Sequence, residues 1–261
     1  MKSDKIINHI TEWLLRYCEN NNQNGFIVGI SGGIDSALTS TLCALTGKKV
    51  LLLSMPIRQR TEEYKRAIKH IETIKKKYTN CISLDINLTQ VFENFERTLP
   101  TETLENKLSM ANSRSRLRMT TLYAIAQTYG LLVAGTGNKI EDFGVGFYTK
   151  YGDGGVDLSP IADLTKTEVG CLAKELNIIE EIISAEPTDG LWDEDGRNDE
   201  NQIGASYPEL EWAMRYIEKK SNYKLDSRQK EVLDIYTRLN KQNKHKMITI
   251  PVCKIPEEYL N

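Results

Sequence analysis

The sequence predicts an α/β fold, a Rossmann-like open parallel β-sheet flanked by helices on both faces and followed by C-terminal helices. Short apolar runs at 26–30, 50–54, 81–86 and 131–134 are bounded by turn residues and separated by stretches of helical periodicity. That spacing joins parallel strands through crossover helices. The 261 residues, 40% hydrophobic and 27% charged, supply enough apolar side chain for a large core. Residues 1–261 are therefore expected to form a single domain.

In chain order, Ile6, Ile7, Ile10, Trp13, Leu14 and Tyr17 recur at helical spacing and make an amphipathic first helix that ends in the polar run 19–24. The strand at 26–30 runs into Ser31-Gly32-Gly33-Ile34-Asp35-Ser36, and a helix at 37–45 is stopped by Gly47. Strand 50–54, helix 61–78 and strand 81–86 continue the alternation, with helices expected at 88–98 and 106–129 before the strand at 131–134. A glycine-rich stretch follows at 144–155. Thr165, with Glu168 three residues on, is a capping box that opens another helix. Residues 184–201 are rich in Asp, Glu, Gly, Asn and Pro and read as a mobile loop, and helices are expected at 209–220 and 227–240.

Composition removes several classes. With 34 Lys and Arg against 36 Asp and Glu, the net charge of −2 provides no global positive field for nucleic acid or an anionic membrane, so neither is expected as a partner. No apolar run approaches the roughly 20 residues of a membrane span, and the N-terminus does not read as a signal peptide, so a cytoplasmic protein is expected. Cys18, Cys43, Cys81, Cys171 and Cys253 are widely spaced and fit reduced thiols. His9, His70 and His245 have no second His or Cys at zinc-ligand spacing, and no GxSxG elbow supports a serine hydrolase.

The most informative stretch is 31–36, because it lies after a buried strand and before a helix, where backbone N–H groups and the helix dipole converge on an anion. Glycines let phosphate approach the backbone, and Ser31 and Ser36 can donate hydroxyls. A carboxylate inside such a cradle makes sense mainly when a divalent metal bridges it to phosphates, which makes Asp35 the first candidate ligand. The alternative is a glycine turn with helix-capping Asp and Ser. The GxxxxGK[ST] pattern is absent.

SGGIDS resembles the pyrophosphate-binding loop of the ATP pyrophosphatases, which adenylate a substrate oxygen and have the adenine nucleotide α-hydrolase-like fold. The runs 135–141 (GTGNKIE), 146–155 (GFYTKYGDGG) and 164–168 (LTKTE) are similar to the NAD synthetase family in particular, as are Asn112, Arg116 and Arg118, the Glu186-Pro187-Thr188 loop and His245-Lys246. The resemblance covers nearly the whole chain. It implies an ammonia-dependent ligase that converts deamido-NAD to NAD through an adenylated carboxylate, releasing AMP and pyrophosphate.

It implies ATP contacts from Ile30, Ser31, Gly32, Gly33, Ile34, Asp35, Ser36, Thr136, Lys166 and Thr188. Deamido-NAD would meet Asn112, Arg116, Phe147, Lys150, Asp153, Asp157, His245 and Lys246. Asp35 and Glu141 would hold Mg2+, while Asp35, Asp153 and Lys166 would serve catalysis, Asp153 by taking a proton from ammonium. A homodimer is implied, with no glutaminase domain and free ammonia as the direct nitrogen donor. The loop 184–201 is the expected lid over a water-sensitive adenylate.

Two departures stand out. Many family members carry an arginine where this chain has Ser54, two residues before Pro56, and Arg58 and Arg60 are the expected substitutes. One additional residue lies between Glu141 and Phe147 compared with some members. Arg114, Arg116 and Arg118 are spread over more than one helix face, so at least one should point away from ligand. A tRNA-modifying adenylating enzyme and a non-catalytic nucleotide-binding protein remain the alternatives.

Overall fold

A computed structural model describes residues 1–188, 190–192 and 198–260. The elements run α1 (Ser3–Asn20), β1 (Gly25–Gly29), α2 (Ile34–Leu45), β2 (Lys49–Ser54), α3 (Thr61–Lys77), β3 (Cys81–Asp85), α4 (Thr89–Glu96), α5 (Thr101–Glu105), α6 (Lys107–Tyr129) and β4 (Leu131–Val133). A π-helix (Ile140–Val145), α7 (Lys166–Glu175), α8 (Glu180–Ile183), α9 (Asp199–Ile203), α10 (Tyr207–Glu218) and α11 (Ser227–Met247) follow.

The four strands are all parallel and ordered β3-β2-β1-β4. Strand periodicity divides their side chains between two cores. Phe26, Val28, Val50, Leu52 and Leu132 face a core shared with α1, α2, α3 and α7. Ile27, Leu51, Leu53, Leu131 and Val133 face another, filled by Phe92 of α4 and Met110, Met119, Leu122 and Ala126 of α6. Both faces are covered, as expected. The strand order reverses at the β1/β4 pair, so a crevice opens beyond their carboxyl ends.

A third core joins the π-helix to α9, α10 and α11 through Ile140, Val145, Ile203, Tyr207, Leu210, Met214, Val232 and Tyr236. The π-helix widens the turn that runs from Glu141 toward Phe147. Several boundaries differ from the sequence reading, among them the start of α10, which lies at Tyr207 rather than 209. Asp35 and Ser36 already belong to the first turn of α2, because Gly33 takes the N-cap position. Asn198 accepts the N–H of Asn201 and starts α9 inside the stretch read as irregular.

Helix α11 also continues seven residues past 240, to Met247. Its last turns lack an apolar period but are fixed by polar side chains. Asn240 and Asn243 donate to the carbonyls of Gly144 and Val145, and Lys246 donates to that of Tyr148 at 2.8 Å. The mobility expected of 184–201 falls partly on 189 and 193–197, which lie outside the described residues.

His70 of α3 is buried against α2 and shares a 2.9 Å hydrogen bond between Nε2 and Ser40 Oγ. Burial pushes its imidazole down to about 4, so it remains neutral in the fold at pH values where the unfolded chain takes up a proton. The native state should lose up to about 3 kcal/mol as pH falls from 6.5 through 4. Acid unfolding of His70→Gln should lack that component, and an unchanged pH dependence would contradict this assignment.

Candidate active site

The loop after β1 carries the first half of the site. Gly33 N–H donates to Ser31 Oγ at 3.2 Å, Ser36 Oγ donates to the Gly33 carbonyl at 3.0 Å, and the two serine hydroxyls lie 3.1 Å apart. Among the described residues no side chain caps α2, so its amino end opens toward the cleft as an anion site. Gly32 has φ +87°, and a Cβ there would stand 2.4 Å from the Glu63 carbonyl oxygen and 3.1 Å from the Ala67 nitrogen. The loop is thus pressed against the backbone of α3, and Arg66 Nε donates to the Gly32 carbonyl at 3.3 Å.

Lys166, the first residue of α7, reaches the same place from the other end of the chain. Its turn is set by the expected capping box between Thr165 and Glu168. Lys166 Nζ lies 2.5 Å from Asp35 Oδ2 and 3.1 Å from Glu141 Oε1. Their side chains are only 13%, 17% and 15% exposed. Burial alone would lower the lysine, but the two carboxylates outweigh it and hold the ammonium above its ordinary value. Asn138, fully buried, donates to Asp35 Oδ1 at 3.4 Å and accepts the N–H groups of Ile140 and Glu141, so one amide links Asp35 to the backbone that carries Glu141.

Burial and mutual repulsion push the remaining acids of the cleft toward their neutral forms. Burial, then Glu141, Asp153 and Asp35, push the Asp142 carboxyl up to about 8. Burial also raises Asp153, against the opposing donors Ser115 and Thr149. Ser115 Oγ of α6 donates to Asp153 Oδ1 at 2.6 Å, and Thr149 N–H donates to the same oxygen at 3.1 Å. Gly152 permits this approach, because a Cβ there would lie 2.3 Å from Ser115 Oγ.

A second group gathers where the 146–155 turn meets the end of α11. Thr149 donates to Asn112 Oδ1 at 2.7 Å, Arg116 Nε to the Lys150 carbonyl at 3.3 Å, and Lys150 Nζ to the His245 carbonyl at 3.0 Å. Lys246 Nζ stands 4.8 Å from the Tyr148 ring centroid, and burial lowers this lysine against the pull of Asp153. Phe147 and Tyr148 line the cleft beside the phosphate loop.

Ile30, Ser31, Gly32, Gly33, Ile34, Asp35, Ser36, Thr136, Glu141, Asp153, Lys166 and Thr188 therefore share one cleft with Phe147. Asn112, Arg116, Lys150, His245 and Lys246 are not among its lining residues and meet around the 146–155 turn. Asp157 stands apart: its carboxylate accepts the Val133 N–H at 2.8 Å and the Tyr123 hydroxyl at 3.1 Å, and it is not among the residues lining the cleft.

The arginines diverge as their spacing requires. Arg114 is buried 5.1 Å from the Phe92 ring centroid and donates to the Leu191 carbonyl, Arg116 faces outward, and Arg118 lines the cleft with donors on Met55 O and Gln59 Oε1. Arg58 is drawn instead to Glu93 and Glu96 of α4. Among the described residues Arg118 and Arg66, rather than Arg58 or Arg60, are the arginines that share the cleft lining with Ser54. Asn138, Ser115, Glu63 and Tyr207 were also missed by sequence reasoning. Only Asn138 lay inside a recognised motif.

The profile of the family described as NAD synthase matches residues 6–249. The chain belongs to the NAD synthase family. It is 36% identical over 246 residues to the NH(3)-dependent NAD(+) synthetase of Carboxydothermus hydrogenoformans, covering 94% of this chain and 93% of that one. Among solved structures it is similar to the NMN synthetase of Francisella tularensis, with TM-score 0.85, 28% identity and coverage of 98% and 100%. It is also similar to the NH3-dependent NAD synthetase of Campylobacter jejuni, with TM-score 0.79, 26% identity and coverage of 97% and 100%.

In this NAD synthase family member, Gly32 offers a direct test of the loop geometry. Gly32→Ala places a Cβ into α3 backbone at a left-handed φ, and should cost about 1–2 kcal/mol of stability and abolish calorimetric ATP binding. ATP affinity equal to that of the unaltered protein would contradict this close approach.

Proposed function

We propose that the chain is an ammonia-dependent NAD synthetase, which amidates deamido-NAD at the expense of ATP and releases AMP and pyrophosphate in the last step of NAD biosynthesis. The observation that carries this reading is the buried Asp35–Lys166–Glu141 cluster in front of the uncapped α2 terminus. A cation and two hard oxygen donors there suit a triphosphate accompanied by a divalent metal.

Among the described residues no group of three or more His, Cys, Asp or Glu could hold a metal alone. Two carboxylates with oxygen-only chemistry fit Mg2+, which commonly combines one or two protein carboxylates with substrate phosphates. Asp35 and Glu141 would hold it, and it would neutralise charge on the departing pyrophosphate.

A carboxylate and ammonia do not form an amide readily in water, because oxide is a poor leaving group. The nicotinate carboxylate oxygen attacks the α-phosphorus of ATP, the bond to pyrophosphate breaks, and the carboxylate becomes a mixed anhydride with AMP. The loop amides, Ser31, Ser36 and Lys166 hold the phosphates during this exchange. Ammonia then attacks the acyl carbon and AMP leaves. Asp153 accepts the proton that ammonium must lose, and Phe147 supplies an aromatic surface for the pyridine ring. Lys150, Lys246, Arg116, Asn112 and His245, gathered around the 146–155 turn, would meet the dinucleotide phosphates and ribose, and Asp157 would have to leave Val133 and Tyr123 to join them.

The name of the Carboxydothermus relative supports free ammonia as nitrogen donor. A homodimer is supported by exposed apolar side chains on the edge strand and nearby helices, including Ile82, Leu84, Val91, Phe95 and Leu108. Free thiols support a reducing cytoplasmic setting, and among the described residues no helix is long and apolar enough to cross a membrane.

Purified protein given ATP, Mg2+ and deamido-NAD should form NAD only with ammonium, with one AMP and one pyrophosphate per NAD. Asp35→Ala should lower kcat/KM by at least about 100-fold. The Francisella relative makes nicotinate mononucleotide the decisive second substrate. Faster amidation of that compound would move the assignment to an NMN synthetase, and no amidation of either would remove it.

A further inference from the structure

Tyr207 and Glu211 lie four residues apart on one face of α10 and reach the reaction centre from behind. Tyr207 donates its hydroxyl to Glu141 Oε1 at 2.6 Å, the oxygen that also receives Lys166 Nζ. The Lys166 ammonium stands 4.7 Å from the centroid of the Tyr207 ring. Glu211 Oε1 accepts the N–H of Thr167, the residue after Lys166, at 2.9 Å. Both residues are almost completely buried, at 2% and 3% exposure.

The start of α10 is itself anchored. Ser206 and Glu209 form a capping box, Arg228 of α11 donates to both oxygens of Glu209 at 2.7 and 3.0 Å, and Glu200 of α9 accepts the Tyr207 N–H at 2.8 Å. A hydroxyl on so fixed a support holds a carboxylate in place, because the carboxylate must follow the donor.

We propose that Tyr207 and Glu211 are positioning residues for the amidation. Tyr207 and Lys166 converge on Glu141 Oε1 and so fix the carboxylate that would hold the nucleotide's magnesium, while Glu211 fixes the α7 turn that carries Lys166. This rests on Glu141 being a magnesium ligand. It goes beyond that reading by assigning the ligand's orientation to a helix that contributes no metal ligand of its own.

The test compares the unaltered protein with Tyr207→Phe, Glu141→Gln, Glu211→Ala and Glu211→Gln. It measures melting temperature without ligand, calorimetric ATP affinity in Mg2+ and in EDTA, and kcat with KM. Tyr207→Phe should weaken ATP binding in Mg2+ about tenfold, leave binding in EDTA unchanged and barely move the melting temperature. Glu211→Ala should lower kcat about tenfold, and Glu211→Gln, which keeps an acceptor oxygen for the Thr167 N–H, should recover most of it.

A lower melting temperature in Tyr207→Phe with unaltered magnesium-dependent affinity would show a purely structural role and overturn the proposal. Equal losses in Glu211→Ala and Glu211→Gln would remove Glu211 from it. If Glu141→Gln loses magnesium dependence and Tyr207→Phe does not, the positioning role alone fails. If Glu141→Gln also keeps it, the metal assignment fails together with the positioning role.

Discussion

Lys166, sequestered between Asp35 and Glu141, is the interaction on which the site depends. Two carboxylates this deeply buried would be strongly disfavoured as anions without a cation, and the ammonium would be equally disfavoured without them. The contact ties the start of α2, the π-helix and the start of α7, although Lys166 and Asp35 are 131 residues apart in sequence. It also sets the charge of the cleft, where one lysine directly opposes two acids. A polyanionic nucleotide entering that cleft needs added positive charge, which the proposed magnesium would supply. Stability and function thus draw on the same three side chains.

The sheet explains why these residues meet. Crossovers through α2 and α3 cover one face and α4 to α6 cover the other, so the connections part at the β1/β4 pair. The loop after β1 brings backbone donors and Asp35, and the segment after β4 brings Asn138 and Glu141. α7 then packs back on the first face and delivers Lys166. The 146–155 turn is supported separately, by α6 through Ser115 and Asn112 and by α11 through Lys246.

Much of this was legible because it rests on local signals. Strand periodicity, the glycines of 31–36 and the Thr165/Glu168 capping box are encoded within a few residues, and each appears in the fold. Asn138 was visible only as part of a motif, since its role arises from a partner 103 residues away. Tyr207 fell outside the helix expected at 209–220, so its approach to Glu141 had no sequence signal. Arg118 could not be separated from Arg114 and Arg116 until α6 was packed, which sets Arg118 on Met55 and Gln59 and Arg114 on the Phe92 ring. The end of α11 was missed because asparagine and lysine side chains, rather than an apolar stripe, hold it.

The central chemical claim is that the substrate carboxylate, and no other group, attacks the α-phosphorus. Deamido-NAD labelled with 18O in its nicotinate carboxylate, taken through one turnover with ATP, Mg2+ and ammonium, tests it most directly. One labelled oxygen should appear in AMP and the other remain in the NAD amide. Label in inorganic phosphate or pyrophosphate, or AMP free of label, would contradict the adenylated intermediate.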